Sequence, residues 1–190
     1  MDTKKISEIL NNDGVIAFVT DTVWGIGCLP TSKKAVEKIY EIKHRDTKKP
    51  LILMSDSDKY LRKYVKPLSI LANELIQKHF PGALTLVVNK SDNTPDYITS
   101  GLETVGIRVP NNKTFAKICN AIEGHVLATT SANLSNEPAA LTYEEVIKYI
   151  GDKADLVIED YGEKAQGRAS TVAGISPKGI TIFRQGDVII

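Results

Sequence analysis

Val15-Ile16-Ala17-Phe18-Val19-Thr20 runs directly into Asp21-Thr22-Val23-Trp24-Gly25-Ile26-Gly27, and the reading of this join decides the fold. The first stretch carries no charge, is rich in β-branched residues and is cut from what precedes it by Gly14, the pattern of a strand buried on both faces. Such strands belong to sheets covered by helices, and the loops that leave them tend to carry ligand sites. Upstream, residues 4–11 place Ile6, Ile9 and Leu10 on one face of a short helix. Downstream, a loop is expected from Asp21 to Pro30, after which Ser32 caps a helix running to about His44.

The alternation continues to the end of the chain. Leu51–Met54 reads as a strand, and helical patterns occupy 57–66 and 67–79, the second opened by Pro67 in its first turn. Pro81-Gly82 turns the chain into a strand over Ala83–Val88, and Val105–Val109 forms another, closed by Pro110. A helix over 112–122 and a strand over Val126–Thr129 follow. Thr142-x-x-Glu145 is a capping box for a helix ending near Gly151. Leu156–Ile158, Ser170–Ile175 and Ile180–Phe183 complete a largely β C-terminal part. With no repeat, linker or low-complexity stretch, residues 1–190 read as a single α/β (α+β) domain, a twisted mixed sheet flanked by helices.

Composition narrows the functional classes. Hydrophobic residues make up 42% and charged residues 25%, which excludes disordered and fibrous readings. A net charge of +1 offers no general attraction to nucleic acid or to an anionic membrane, so any charge argument is local. No apolar run reaches membrane-spanning length, and Met1-Asp2-Thr3-Lys4-Lys5 leads into an amphipathic stretch, so a cytoplasmic protein is expected. Cys28 and Cys119 form no C-x-x-C pair; free thiols and no zinc site are expected.

Three segments can carry chemistry. In the 20–27 stretch, Gly25 and Gly27 allow close backbone approach and Thr22 offers a hydroxyl, although on composition alone a plain strand-to-loop turn with Trp24 in the core accounts for it better. Between Lys33 and Lys49, seven basic side chains face three acidic ones. Val36, Ile39 and Tyr40 mark the inward stripe of that helix and Lys43 continues it, so Lys43 either snorkels outward or points into a cleft. Lys43, Arg45, Lys48 and Lys49 suit a polyphosphate, or cap the helix dipole. Thr129 to Ser135 packs hydroxyls and the Asn133 amide into one turn after a buried strand, able to hold phosphate oxygens, base or ribose, or to form an ordinary turn. Arg108 inside a strand and Arg184 at a strand end each need an anionic partner, either an internal carboxylate or a ligand. There is no P-loop, nucleophile elbow or H-E-x-x-H motif, which leaves positioning and electrostatic stabilisation as the catalytic means.

Taken in order, Thr20-Asp21-Thr22-Val23-Trp24-Gly25-Ile26-Gly27, Lys43-His44-Arg45, Phe80-Pro81-Gly82, Arg108-Val109-Pro110, Ser131-Ala132-Asn133, Ser170-Thr171-Val172 and Arg184-Gln185-Gly186 resemble the YrdC-like family over essentially the whole chain. Val19 stands where that family has proline, and Met54 where longer relatives often have histidine; the chain resembles the short, single-domain form. The resemblance implies a deep basic cavity and the synthesis of L-threonylcarbamoyladenylate and pyrophosphate from L-threonine, bicarbonate and ATP. Carried over residue by residue, it implies that Thr22, Arg108, Thr129 and Ser170 contact threonine. It implies that Arg45, Lys49, Thr104, Ser131, Asn133, Ala139 and Arg184 contact ATP, with Lys43 and Arg45 as the catalytic cations. ATP is then a substrate, Mg2+ travels with it, and no protein metal site is implied. The implied partners are a downstream tRNA-modifying transferase complex and, weakly, tRNA or double-stranded RNA. A second reading is a YrdC-like paralogue that binds nucleotide or structured RNA without this synthase activity.

Overall fold

The computed structural model describes residues 1–190. The apolar run becomes a short strand, Ile16–Phe18 (β1), buried at every position. The expected loop from Asp21 to Pro30 is interrupted by a further buried strand, Gly25–Cys28 (β2), antiparallel to β1. Its two glycines read as loop in the sequence, yet they are what let this strand pack. A Cβ on Gly25 would stand 2.9 Å from the Phe18 ring, and one on Gly27 3.0 Å from the Thr129 methyl.

The remaining strands are Ile52–Ser55 (β3), Leu84–Asn89 (β4), Thr104–Arg108 (β5), Val126–Ser131 (β6), Leu156–Val157 (β7), Thr171–Ser176 (β8) and Gly179–Arg184 (β9). The helices are Thr3–Asn11 (α1), Lys33–Lys43 (α2), Asp58–Leu61 (α3), Ile70–His79 (α4), Asp96–Thr99 (α5), Lys113–Asn120 (α6) and Tyr143–Ile150 (α7). Ser32 caps α2, and Thr142 with Glu145 forms the capping box of α7, as their sequence patterns predict. The helix predicted over 57–66 is shorter: α3 ends at Leu61 and tightens into a 3-10 turn over Arg62–Tyr64. Pro67 does not open α4. Val65 bridges Lys90 and the Lys66 N–H donates to the Asn89 carbonyl, holding 65–66 against the sheet, so the helix starts after Ser69, whose hydroxyl caps it.

All nine strands form one mixed sheet in the order β7-β1-β2-β6-β3-β5-β4-β8-β9. Alternate residues of its strands face two separate cores. Ala17, Ile26, Leu53, Leu86, Ile107 and Ala128 join the larger cluster, which also takes buried residues from α2, α3, α4, α5 and α7. Ile16, Phe18, Met54 and Leu127 face the other way and pack with Ile6 and Leu10 of α1 and Phe115, Ile118 and Cys119 of α6. The smaller cluster covers only part of the second face, and the uncovered part is where the site lies. Both cysteines are buried free thiols, and burial pushes Cys28 up to about 12.

Candidate active site

A cavity of ≈ 360 Å3 opens on the half-covered face, lined by 21 residues from β2, β3, β4, β5, β6, β8, β9 and the segments between them. Sheet register explains how such distant segments meet. Gly25 pairs with Ser131, Thr129 with Ile52, and Ile52 with Gly106; Met54 pairs with Arg108, Thr85 with Val172, and Val172 with Arg184. Partners directly opposite in a ladder share a face, so the wall is a row of cross-strand pairs read across the sheet. Gly106 keeps the floor open: a Cβ there would lie 2.7 Å from the Ile52 Cγ2 and 3.4 Å from the Thr85 Cγ2.

Arg108 is anchored from three sides. Its Nε donates to the Gly82 carbonyl (3.0 Å), Nη1 donates to the Thr22 hydroxyl (2.8 Å), and Nη2 donates to the Asp21 carboxylate. Only 5% of its side chain and 10% of that of Asp21 are exposed, so this is a buried ion pair and the internal carboxylate is the partner that the strand arginine requires. A guanidinium has five N–H donors. One remains on each terminal nitrogen, available to a further acceptor. Thr22 is also set by Thr20, whose hydroxyl lies 3.1 Å away and accepts from the Thr22 N–H. Backbone N–H groups of Gln166 and Gly167 donate to the carbonyls of Asp21 and Thr22 and close that side.

Ser170 sits between two wall residues. Its hydroxyl is 2.8 Å from that of Thr85, and Arg184 donates to both its carbonyl (3.0 Å) and its hydroxyl (3.2 Å). Arg45 is held by the carbonyls of Lys49 (3.2 Å) and Pro50 (3.0 Å). Arg45, Arg108 and Arg184 therefore face one cavity, and burial lowers the pKa of each; the Arg184 charge lowers that of Arg108 further, against the opposing pull of Asp21. Guanidinium groups stay protonated under such shifts, so an anion entering the cavity would offset the cost of burying them.

Of the residues singled out from sequence, Thr22, Arg45, Arg108, Thr129, Ser131, Asn133, Ala139, Ser170 and Arg184 line this cavity. Lys43, Lys49 and Thr104 do not. Thr104 pairs with Asn89 at the far end of β5, and exposed Lys49 contacts the Asn136 side chain at 3.3 Å. Lys43 neither snorkels nor enters the cavity: it is 1% exposed and lies behind the Ser131–Asn133 turn. Trp24 is at once core and wall, its ring tilted against Tyr143 with centroids 6.0 Å apart. Sequence reading missed Thr85, Ile52 and Glu137 on the wall. Thr85 could have been found from the alternation of its strand, where it faces away from Leu84 and Leu86.

A helix-covered mixed sheet with an open patch that gathers three guanidinium groups and a row of hydroxyls is an α/β protein with a cavity of a chemistry suited to a small polyanion. Residues 8–186 match the family model Sua5_yciO_yrdC, described as "Telomere recombination", and the chain belongs to that family. The threonylcarbamoyl-AMP synthase of Buchnera aphidicola subsp. Acyrthosiphon pisum is 40% identical over 152 residues, 78% of this chain and 86% of that protein. The synthase of Vibrio cholerae is 34% identical over 181 residues, 94% of each chain. P. abyssi Sua5 complexed with L-threonine superposes with a TM-score of 0.91 at 30% identity; the match covers 97% of this chain but only 54% of that one. E. coli YciO superposes with a TM-score of 0.87 at 24% identity over 97% of this chain and 89% of that one, a likeness of fold.

Proposed function

We propose that the chain is a threonylcarbamoyl-AMP synthase, forming L-threonylcarbamoyladenylate and pyrophosphate from L-threonine, bicarbonate and ATP. The observation that carries this reading is the single cavity where the Arg108 fork, backed by Asp21 and Thr22, shares a wall with Arg45, Arg184 and the Ser131–Asn133 turn. One anion site suits an amino-acid carboxylate and the others suit phosphates. In this reading Thr22, Arg108, Thr129 and Ser170 hold threonine, while Arg45, Ser131, Asn133, Ala139 and Arg184 hold ATP.

The amine of threonine takes up carbon dioxide derived from bicarbonate. The resulting carbamate oxygen attacks the α-phosphorus of ATP, the bond to the bridging oxygen breaks, and pyrophosphate leaves with the electron pair. No side chain forms a covalent intermediate. The protein aligns the carbamate with the α-phosphate, and its fixed guanidinium groups meet the charge that builds on the phosphate oxygens. No set of three or more His, Cys, Asp or Glu side chains is grouped to hold a metal ion, and Glu137 is the one carboxylate on the wall. These donors do not fit a resident metal; magnesium would enter on the phosphates of the nucleotide. The product is a reactive mixed anhydride, so its consumer is an acyl transferase, which in this reading acts on an adenosine of tRNA. No helix is long and apolar enough to cross a membrane.

The test is direct. Purified protein is given threonine, bicarbonate, magnesium and ATP, and pyrophosphate and the adenylate are assayed. Threonine-dependent release of both is expected. Pyrophosphate release indifferent to threonine rejects the reading, and salt-sensitive RNA binding without turnover would favour the paralogue that only binds.

A further inference from the structure

Lys43 carries the inference. The inward stripe of α2 delivers it to a place where 1% of it is exposed, and the ammonium has three protons for three oxygens. Nζ donates to the carbonyls of Ser131 (2.5 Å) and Asn133 (2.6 Å) and to the side-chain oxygen of Asn133 (2.8 Å). No donor is left over for a phosphate. Burying an ammonium is unfavourable unless every proton is bonded, so this arrangement is not readily given up when a ligand arrives.

We infer that Lys43 is a positioning residue for nucleotide binding, acting through Asn133 and not on the phosphates. The inference rests on the proposed synthase reading and refines it. Asn133 has an amide that could sit either way round, and the cation settles which way: its oxygen faces Lys43, because the amide N–H groups would be repelled there. With the oxygen so placed, it also accepts from the Ser131 hydroxyl (2.6 Å), and the amide nitrogen donates to the Glu137 carbonyl (2.6 Å). The Ser135 N–H donates to the carbonyl of Lys43 itself (2.9 Å), so the turn is tied to the end of α2 through both backbone and side chain. Ser131, Asn133, Glu137 and Ala139 line the cavity. Their arrangement there is therefore set from behind by one ammonium group. Without it the amide oxygen loses its charged donor, and only the Ser131 hydroxyl and the Glu137 carbonyl are left to hold its orientation.

A double-mutant cycle tests this. Dissociation constants for ATP, AMP and threonine are measured on the acid side of pH 7, where Lys43 is an ammonium, on the wild type, Lys43→Met, Asn133→Ala and the double variant. Each single change is expected to weaken ATP and AMP by a similar factor, about tenfold or more, the scale of a lost charged hydrogen bond. The double variant is expected to bind no more weakly than the worse single one, with threonine affinity held within about twofold. Weakening that strikes ATP and spares AMP would mean that Lys43 acts on the outer phosphates. Factors that multiply in the double variant would mean that it does not act through Asn133. Either result overturns the inference. Should Lys43→Met fail to fold by circular dichroism, Lys43→Gln replaces it: its neutral amide has two N–H donors for three oxygens and no charge to orient Asn133, so a smaller weakening that still fails to multiply with that of Asn133→Ala is expected, and multiplying factors overturn the inference. A wild type that binds neither nucleotide overturns the synthase reading as well; a wild type that binds both, with multiplying factors, overturns the Lys43 assignment alone.

Discussion

Replacing Asp21 by alanine leaves the Arg108 guanidinium in place with its counter-charge removed. The bonds to the Gly82 carbonyl and the Thr22 hydroxyl survive, but both are neutral dipoles. Removing one partner of a buried pair costs roughly 3–5 kcal/mol. Arg108 borders a cavity that admits water, which puts the loss at the low end, about 3 kcal/mol. For a chain of this length each kcal/mol lowers the melting temperature by about 2–4 °C, so a drop of about 6–12 °C is expected in thermal unfolding. The double variant Asp21→Ala/Arg108→Met supplies the sharper test. It removes the stranded charge and keeps most of the side-chain volume, so it should melt above Asp21→Ala although it carries one more substitution. Two results would refute the reasoning: an Asp21→Ala protein within about 1 kcal/mol of wild type, or a double variant whose loss is the plain sum of the single ones.

Three further outcomes follow from the same geometry. Arg45→Ala should reduce kcat/KM for ATP by about a hundredfold or more while shifting the melting temperature little, because Arg45 bonds only to two carbonyls on its own loop; normal turnover would remove its phosphate role. Gly106→Val should raise the KM for the substrates and destabilise by about 1–3 kcal/mol, since even a Cβ there would press on Ile52 at 2.7 Å; steady-state kinetics and urea unfolding check both. Burial, helped by the charge of Arg45, pulls Lys43 from 10.5 down to about 7, so the ammonium that bonds Ser131 and Asn133 is complete below about 7, and between the two values the unfolded chain holds a proton that the folded chain gives up. Stability relative to Lys43→Met should therefore rise with pH across that window, read from urea midpoints; a flat or falling difference would count against the burial.

How far the sequence foretold this architecture depended on the kind of signal. Caps are local chemistry, and Ser32, Thr142 and Glu145 act where their spacing placed them. Strands made of β-branched runs were equally legible. β2 was hidden because its composition, Gly-Ile-Gly-Cys, is that of a loop, and only the nearness of Phe18 and Thr129 turns its glycines into packing residues. The false start of α4 at Pro67 has the same origin: a long-range pairing of 65–66 with the end of β4 overrode a sound local signal. The site divides in the same manner. Arg108 announced itself, since a strand arginine must find an anion, and it did so in Asp21. Lys43 announced only that it was unusual; whether the stripe of α2 led to a cleft, to solvent or to the back of a turn depended on where β6 ended.

What no local pattern could supply is which half of a two-faced sheet would be left bare. Thr85, Thr129 and Ile52 alternate like any strand residues, and their parity fixes a face but not its covering. That covering is decided by the size of the smaller core: α1 and α6 meet over Phe18, Leu127 and Met54 and reach no further. Beyond their edge the face carries Arg108, Thr85, Ser170 and Arg184, groups that a helix could bury only at a heavy desolvation cost. The polar row thus both furnishes the site and keeps it from being covered. An apolar substitution along that row, at Thr85 above all, acts on the ligand and on the packing of the sheet together, because the Thr85 hydroxyl is the buried partner that holds Ser170 in place.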